Sequence, residues 1–219
     1  MDTIKEKIPQ KLHAILAKEI KDLRPAQKKA VKAGLLEGKN LLICTPTASG
    51  KTLIAELASM KAVLEKRGKA VYIVPLKALA TEKFREFKRR YEGVAKIALS
   101  IGDLDASDPY LAEYDIIITT SEKLDSLLRH HSPWILNVAT VIIDEIHLLN
   151  DPSRGPTLEI LITLLKKLLP KVQIIGLSAT IGNPEELAEW LGASLVQDEW
   201  RPVKLKKGVY LDGKIEFVE

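Results

Sequence analysis

Thr45-Pro46-Thr47-Ala48-Ser49-Gly50-Lys51-Thr52 decides the fold of this chain. It lies between an apolar run at 40–44 and an amphipathic run at 51–67, so the chain passes from a strand through a tight loop into a helix. Such a loop gathers consecutive backbone N–H groups at a helix N-terminus and forms a cradle for phosphate. Gly50 stands where a side chain would collide, Lys51 can reach β- and γ-phosphates, and the Thr52 hydroxyl is a ligand for Mg²⁺. Thr47, Ala48 and Ser49 supply the backbone around the phosphates. The stretch departs from the general pattern at Thr45, which replaces the first glycine, and at Ala48, where a second glycine is common.

Further strands are expected at 70–74, 95–100, 115–119, 140–143 and 172–176, most of them rich in Val and Ile. Runs apolar on both faces belong to buried parallel strands. Helices are expected at 8–20, 25–37, 51–67, 78–91, 121–130, 157–168 and 184–191, the last with Asn183 as N-cap and Pro184 at the first helical position. This alternation predicts an α/β fold, a mostly parallel sheet with helices on both faces. Trp200-Arg201-Pro202 breaks the pattern, and 203–219 alternates like strands about a turn at Asp212-Gly213. Residues 1–202 therefore read as one domain, and 203–219 as the start of, or linker to, another.

At 219 residues the chain is long enough for one large α/β domain. Its 46% hydrophobic and 28% charged residues exclude a disordered polymer. A net charge of +4 is compatible with a polyanion partner or with a solvated surface. Cys44, the sole cysteine, sits in an apolar run, which excludes an internal disulfide and a cysteine-built metal site. The N-terminus lacks the apolar core of a signal peptide, and no apolar run reaches the roughly 18 residues of a membrane span, so a cytoplasmic location is expected. Asn and Gln number only four each, a composition that leans towards a thermophilic source.

A second signal is Val141-Ile142-Ile143-Asp144-Glu145-Ile146-His147, an apolar strand ending in two carboxylates. Ligands of open α/β sheets bind at that edge. Asp144 can hold Mg²⁺ and Glu145 can polarise a water that attacks the γ-phosphate. Without a cation the two acids would repel. A phosphate loop followed about 90 residues later by an acidic strand end defines a nucleoside triphosphatase.

Asp144-Glu145-Ile146-His147 resembles the DExH form of motif II in superfamily 2 helicases. Leu177-Ser178-Ala179-Thr180 resembles their motif III, which couples the ATP site to nucleic-acid movement. Gln27 resembles the Q-motif glutamine, whose amide can pair with the adenine edge; Arg24 stands where close relatives carry an aromatic residue. Val74-Pro75-Leu76-Lys77-Ala78-Leu79-Ala80 resembles motif Ia, Thr119-Thr120-Ser121-Glu122-Lys123 motif Ib, and Gly102-Asp103 the GD element between them. Pro75, Lys77, Gly102, Asp103, Thr120, Ser121 and Lys123 are thus expected along a nucleic-acid backbone, with contacts that position without reading sequence. Taken singly, Lys77 and Lys123 read as solvated lysines. The match runs from about residue 20 to 205 and is closest to the archaeal Hjm-type DNA helicases of the Ski2-like group.

That resemblance implies a RecA-like P-loop domain binding ATP and Mg²⁺, with Lys51, Asp144, Glu145 and His147 as its catalytic set and Ser178, Ala179 and Thr180 as coupling residues. It also implies 3′ to 5′ translocation on single-stranded or forked DNA, and a second RecA-like domain that brings arginine fingers. The present chain alone is therefore expected to hydrolyse ATP slowly and not to unwind. Two alternatives stay open: an RNA helicase with the same machinery, and a nucleotide-gated binding module without useful turnover. Glu145 speaks against the second, because pure binding needs the metal ligand but not the water-polarising acid.

Overall fold

The computed structural model describes every residue except 103, 105, 106, 204, 205 and 219. Seven strands form one sheet: β1 (Leu41–Cys44), β2 (Lys69–Val74), β3 (Ile97–Ser100), β4 (Ile116–Thr120), β5 (Val138–Ile143), β6 (Gln173–Ser178) and β7 (Ser194–Gln197). Their order is β3-β4-β2-β5-β6-β1-β7, and every pairing is parallel. The six expected strands are all present, with ends shifted by a residue or two. β1, β4 and β6 are buried along their whole length, as the unbroken apolar runs require.

Helices cover both faces: α1 (Gln10–Leu16), α2 (Pro25–Lys32), α3 (Lys51–Leu64), α4 (Lys77–Tyr91), α5 (Ser121–Arg129), α6 (Gly155–Leu168) and α7 (Pro184–Leu191). One core packs α1 to α4 on the sheet through Leu12, Ile54, Leu57, Tyr72, Phe87 and Ile142. The other packs α5 to α7 through Leu124, Leu127, Leu161, Leu165, Val141 and Leu191. Each such side chain contributes about 1.5–3 kcal/mol when fully buried, and the alternate residues of every strand divide between the two cores.

Three expectations needed correction. The helix expected to 37 stops at Lys32, because Gly34 takes φ +104 and the chain turns. Asn183 does hold the N-cap position, but its side chain makes no cap; it donates to the Glu186 carboxylate at 3.0 Å. β7 was not foreseen: only Val196 of its four residues is buried, too little for a period to show. Beyond the break at Trp200, β8 (Lys207–Leu211) and β9 (Lys214–Val218) form the expected antiparallel hairpin. Its turn residues Asp212 and Gly213 have φ +47 and +78, the left-handed pair that matches strand twist. Among the described residues no helix is long and apolar enough to cross a membrane.

Candidate nucleotide and coupling site

Because the sheet is parallel, the loops after β1, β2, β4, β5 and β6 all leave from one edge. β6 lies between β1 and β5, so the residues after it separate the phosphate loop from the acid pair. The loop is fixed from several sides. Thr45 N donates to Ser178 O at 3.3 Å, and the buried Thr45 and Ser49 hydroxyls share a hydrogen bond of 2.7 Å. Threonine in the place of the first glycine therefore turns its side chain into the loop's own interior. Ala48 has φ +65, which accounts for the usual glycine there. Gly50 has φ +95, and a Cβ on it would stand 2.4 Å from Gln27 Nε2.

α3 begins at Lys51 with no side-chain cap, and Leu53 N donates to Gly50 O at 3.2 Å, so the N–H groups of Lys51 and Thr52 are the ones left for a ligand. Thr47 and Ala48 are exposed above it. Lys51 Nζ donates to Thr45 O at 2.9 Å. Burial pushes its ammonium below the ordinary lysine range, opposed by the charges of Glu145 and Asp144. Thr52 Oγ1 receives Lys83 Nζ at 3.3 Å, and Lys83 also pairs with Glu86 at 2.9 Å.

Gln27 is buried, and its amide is already a strut of the loop. Oε1 accepts from Arg24 N at 2.8 Å and Nε2 donates to Gly50 O at 2.9 Å; one amide hydrogen and one lone pair remain for an adenine edge. Arg24 stands just before Pro25, where the sequence offers no aromatic ring to stack on adenine. In the structure its Nη1 donates to Ala48 O at 2.6 Å and its guanidinium lies 5.5 Å from the centre of the Trp200 ring. Beside this corner a cavity of about 580 Å³ opens between Asp22, Gln27, Thr52, Glu56 and Arg90.

The acid pair follows β5. Asp144 N donates to Ile73 O at 2.9 Å, its Oδ1 accepts from Glu145 N at 3.0 Å, and its Oδ2 accepts from Tyr72 Oη at 3.0 Å. Nothing in the sequence singled out Tyr72. Burial first, and the charge of Asp144 second, hold its phenol far above the ordinary tyrosine range. Glu145 adopts φ +50 and starts a short 3-10 turn, Ile146–Asn150, that carries His147. His147 Nδ1 lies 3.4 Å from Glu145 Oε2 and 3.5 Å from Ser178 Oγ. Three expected residues thus form one line from the end of β6 to the acid. Ala179 is half-buried and Thr180 exposed in the loop beyond.

The donor set suits Mg²⁺. Thr52 and Asp144 offer hard oxygens, while no group of three His, Cys, Asp or Glu side chains gathers among the described residues. Magnesium takes one or two protein oxygens, water and phosphate rather than a full protein cage.

The expected nucleic-acid residues are less uniform. Lys77 is exposed at the start of α4, a helix without a side-chain cap, and Pro75 before it is half-buried. Thr120 is the N-cap of α5, accepting from Lys123 N at 3.4 Å, and Ser121 is buried. Lys123 departs from the expectation of a lysine facing a phosphate backbone: its side chain is 2% exposed and paired with Asp108 at 3.0 Å. A buried ammonium needs such a partner. Gly102 is half-buried at φ +102, and Asp103 lies outside the described residues.

Residues 24–187 match the profile of the DEAD/DEAH box helicases. The chain belongs to that family. Every motif named above except the Trp200 stretch falls within the match. Among curated relatives, the ATP-dependent DNA helicase Hel308 of Pyrococcus abyssi is 58% identical over 207 residues, covering 94% of this chain and 28% of that protein. The Hel308 of Methanocaldococcus jannaschii is 59% identical over 206 residues, covering 91% and 17%. Among solved structures, the helicase Lhr of Mycobacterium smegmatis bound to ssDNA and AMP-PNP superposes with a TM-score of 0.74 at 30% identity, over 84% of this chain and 27% of that one. The DUF1998 helicase MrfA bound to DNA gives 0.76 at 29% identity, over 89% and 30%. The chain thus spans under a third of the length of these relatives.

Proposed function

We propose that this chain is the ATP-binding domain of an ATP-dependent DNA helicase that moves 3′ to 5′ along a single strand in the cytoplasm. The carrying observation is the contiguous set Glu145, His147 and Ser178 beside the phosphate loop. It supports Glu145 as the water-polarising acid, linked through His147 to Ser178 at the end of β6. The loop backbone and the first turn of α3 hold the phosphates, Lys51 swings from Thr45 O to the β- and γ-phosphates, and Gln27 reads the adenine edge. Thr52 and Asp144 are the residues to hold Mg²⁺, which neutralises charge on the phosphates when bound. Glu145 orients the attacking water. Its link through His147 to Ser178 lets loss of the γ-phosphate alter the loop after β6.

DNA is favoured as the track because the Hel308 relatives are named DNA helicases and the Lhr and MrfA structures hold DNA. On this chain Lys77 and the uncapped start of α4 are the exposed groups suited to backbone phosphates. Residues 203–219 lead into a second RecA-like domain, from which the arginine fingers come.

The test uses the full-length motor. Lys51→Ala should abolish ATP turnover. Glu145→Gln should keep ATP binding while lowering kcat by about 10²–10⁴, the usual worth of a positioned base. Unchanged turnover in either variant would overturn the assignment. Stimulation of ATPase by single-stranded RNA as strong as by DNA would remove the choice of DNA.

A further inference from the structure

We infer that Tyr72 is a positioning residue for Asp144, fixing the carboxylate that would hold Mg²⁺; the inference rests on the nucleotide-site reading above. Tyr72 lies on β2 directly beside Ile142 of β5. Two residues on from Ile142, on the same face of the pleat, comes Asp144. The Tyr72 ring is wholly buried, against Phe87 of α4 at 5.7 Å and edge to face, and Phe87 in turn packs on Tyr91 at 5.8 Å. The phenol is therefore held from behind and reaches Asp144 Oδ2 at 3.0 Å.

The other oxygen, Oδ1, accepts from Glu145 N at 3.0 Å. One donor on each oxygen stops the carboxylate from turning about its Cβ–Cγ bond. Each oxygen keeps a second lone pair, so the group is oriented and still free to meet a hydrated cation. A phenylalanine would fill the same apolar space without the cost of burying a hydroxyl. The hydroxyl's partner is the one acid that the site needs in a single orientation. Groups that orient a metal ligand from behind are commonly worth 10–100-fold in metal affinity or activity.

The experiment is a titration with Mg²⁺ of the binding of a fluorescent ATP analogue to the intact protein, for wild type, Tyr72→Phe, Asp144→Asn and the double variant. Leu165→Ala, in the core on the other face of the sheet, serves as a packing control. Tyr72→Phe should raise the Mg²⁺ concentration for half-maximal binding about tenfold. It should leave analogue binding in EDTA unchanged and lower kcat at limiting Mg²⁺, with recovery at high Mg²⁺. On top of Asp144→Asn it should add nothing, because the hydroxyl acts only through that carboxylate. Leu165→Ala should lower the melting temperature without altering the Mg²⁺ requirement.

Three outcomes overturn the inference: an unchanged Mg²⁺ requirement in Tyr72→Phe, a loss that adds to that of Asp144→Asn, or an equal shift in Leu165→Ala. If Asp144→Asn itself leaves Mg²⁺-dependent binding intact, the nucleotide-site reading fails. If Asp144→Asn is impaired and Tyr72→Phe is normal, only the role of Tyr72 fails.

Discussion

Single residues of the phosphate loop show how backbone geometry and side-chain identity can disagree. Ala48 holds φ +65 with a Cβ, a conformation that costs an L residue roughly 1–2 kcal/mol. Part of that is returned by the lower freedom of alanine in the unfolded chain. Ala48→Gly should therefore stabilise the nucleotide-free chain by up to about 1 kcal/mol and raise its melting temperature by about 2–4 °C. A thermal melt checks this, and a fall would mean that the loop does not hold its left-handed turn. The sequence marked Ala48 as a departure from the motif but could not say that the backbone keeps the glycine's shape. Arg24 and Tyr72 were less legible still. Their partners, Ala48 O and Asp144 Oδ2, lie 24 and 72 residues away, and a tyrosine within Lys69-Ala70-Val71-Tyr72-Ile73-Val74 reads only as a good strand residue.

At the level of elements, the strands were legible because burial on both faces leaves unbroken apolar runs. Their order was not. Nothing in the runs says that β5 and β6 enter between β2 and β1, yet that insertion sets Ser178 beside both the loop and the acids. The same holds for what ties helices together. Glu56 of α3 is 2% exposed, and both its oxygens accept from Arg90 Nη1 at 2.6 and 2.7 Å. Tyr91 Oη also donates to it, at 2.5 Å, and Arg90 Nη2 reaches Glu19 at 2.7 Å. Burial pushes the Glu56 carboxyl up, while these donors oppose the shift. The cluster fastens α4 and the segment after α1 to the helix that carries Lys51. Glu56→Ala would leave the Tyr91 phenol without its acceptor and the Arg90 guanidinium with Glu19 alone. Breaking a buried pair costs about 3–5 kcal/mol, and Arg90 is partly solvated, so about 3 kcal/mol is expected. Melting should then fall by about 6–12 °C. A change within 2 °C would show that the cluster contributes nothing to the joint between the helices.

The whole molecule carries one wall of the proposed motor. It covers 28% and 17% of the two Hel308 relatives, and the resemblance assigns the arginine fingers to another domain. Such a finger is typically worth 10³–10⁵ in rate. The 219-residue chain should therefore bind ATP yet turn it over at least about 10³-fold more slowly than the full-length motor, and should not separate strands. Vigorous unwinding by the chain alone would contradict this. The binding half of that comparison needs no added label. The protein has three tryptophans. Trp134 is buried in the α5–α7 core, and Trp190 lies under Lys166 on α7. Only Trp200 touches the site, through the Arg24 guanidinium that also grips Ala48 O. Its segment is pinned in place by Lys29, which pairs with Asp198 and donates to Gln197 O, both at 2.8 Å. A nucleotide that drew Arg24 off the indole would change the surroundings of one fluorophore in three, so tryptophan emission should shift as ATP is added, and an unchanged spectrum would show that Arg24 keeps its place.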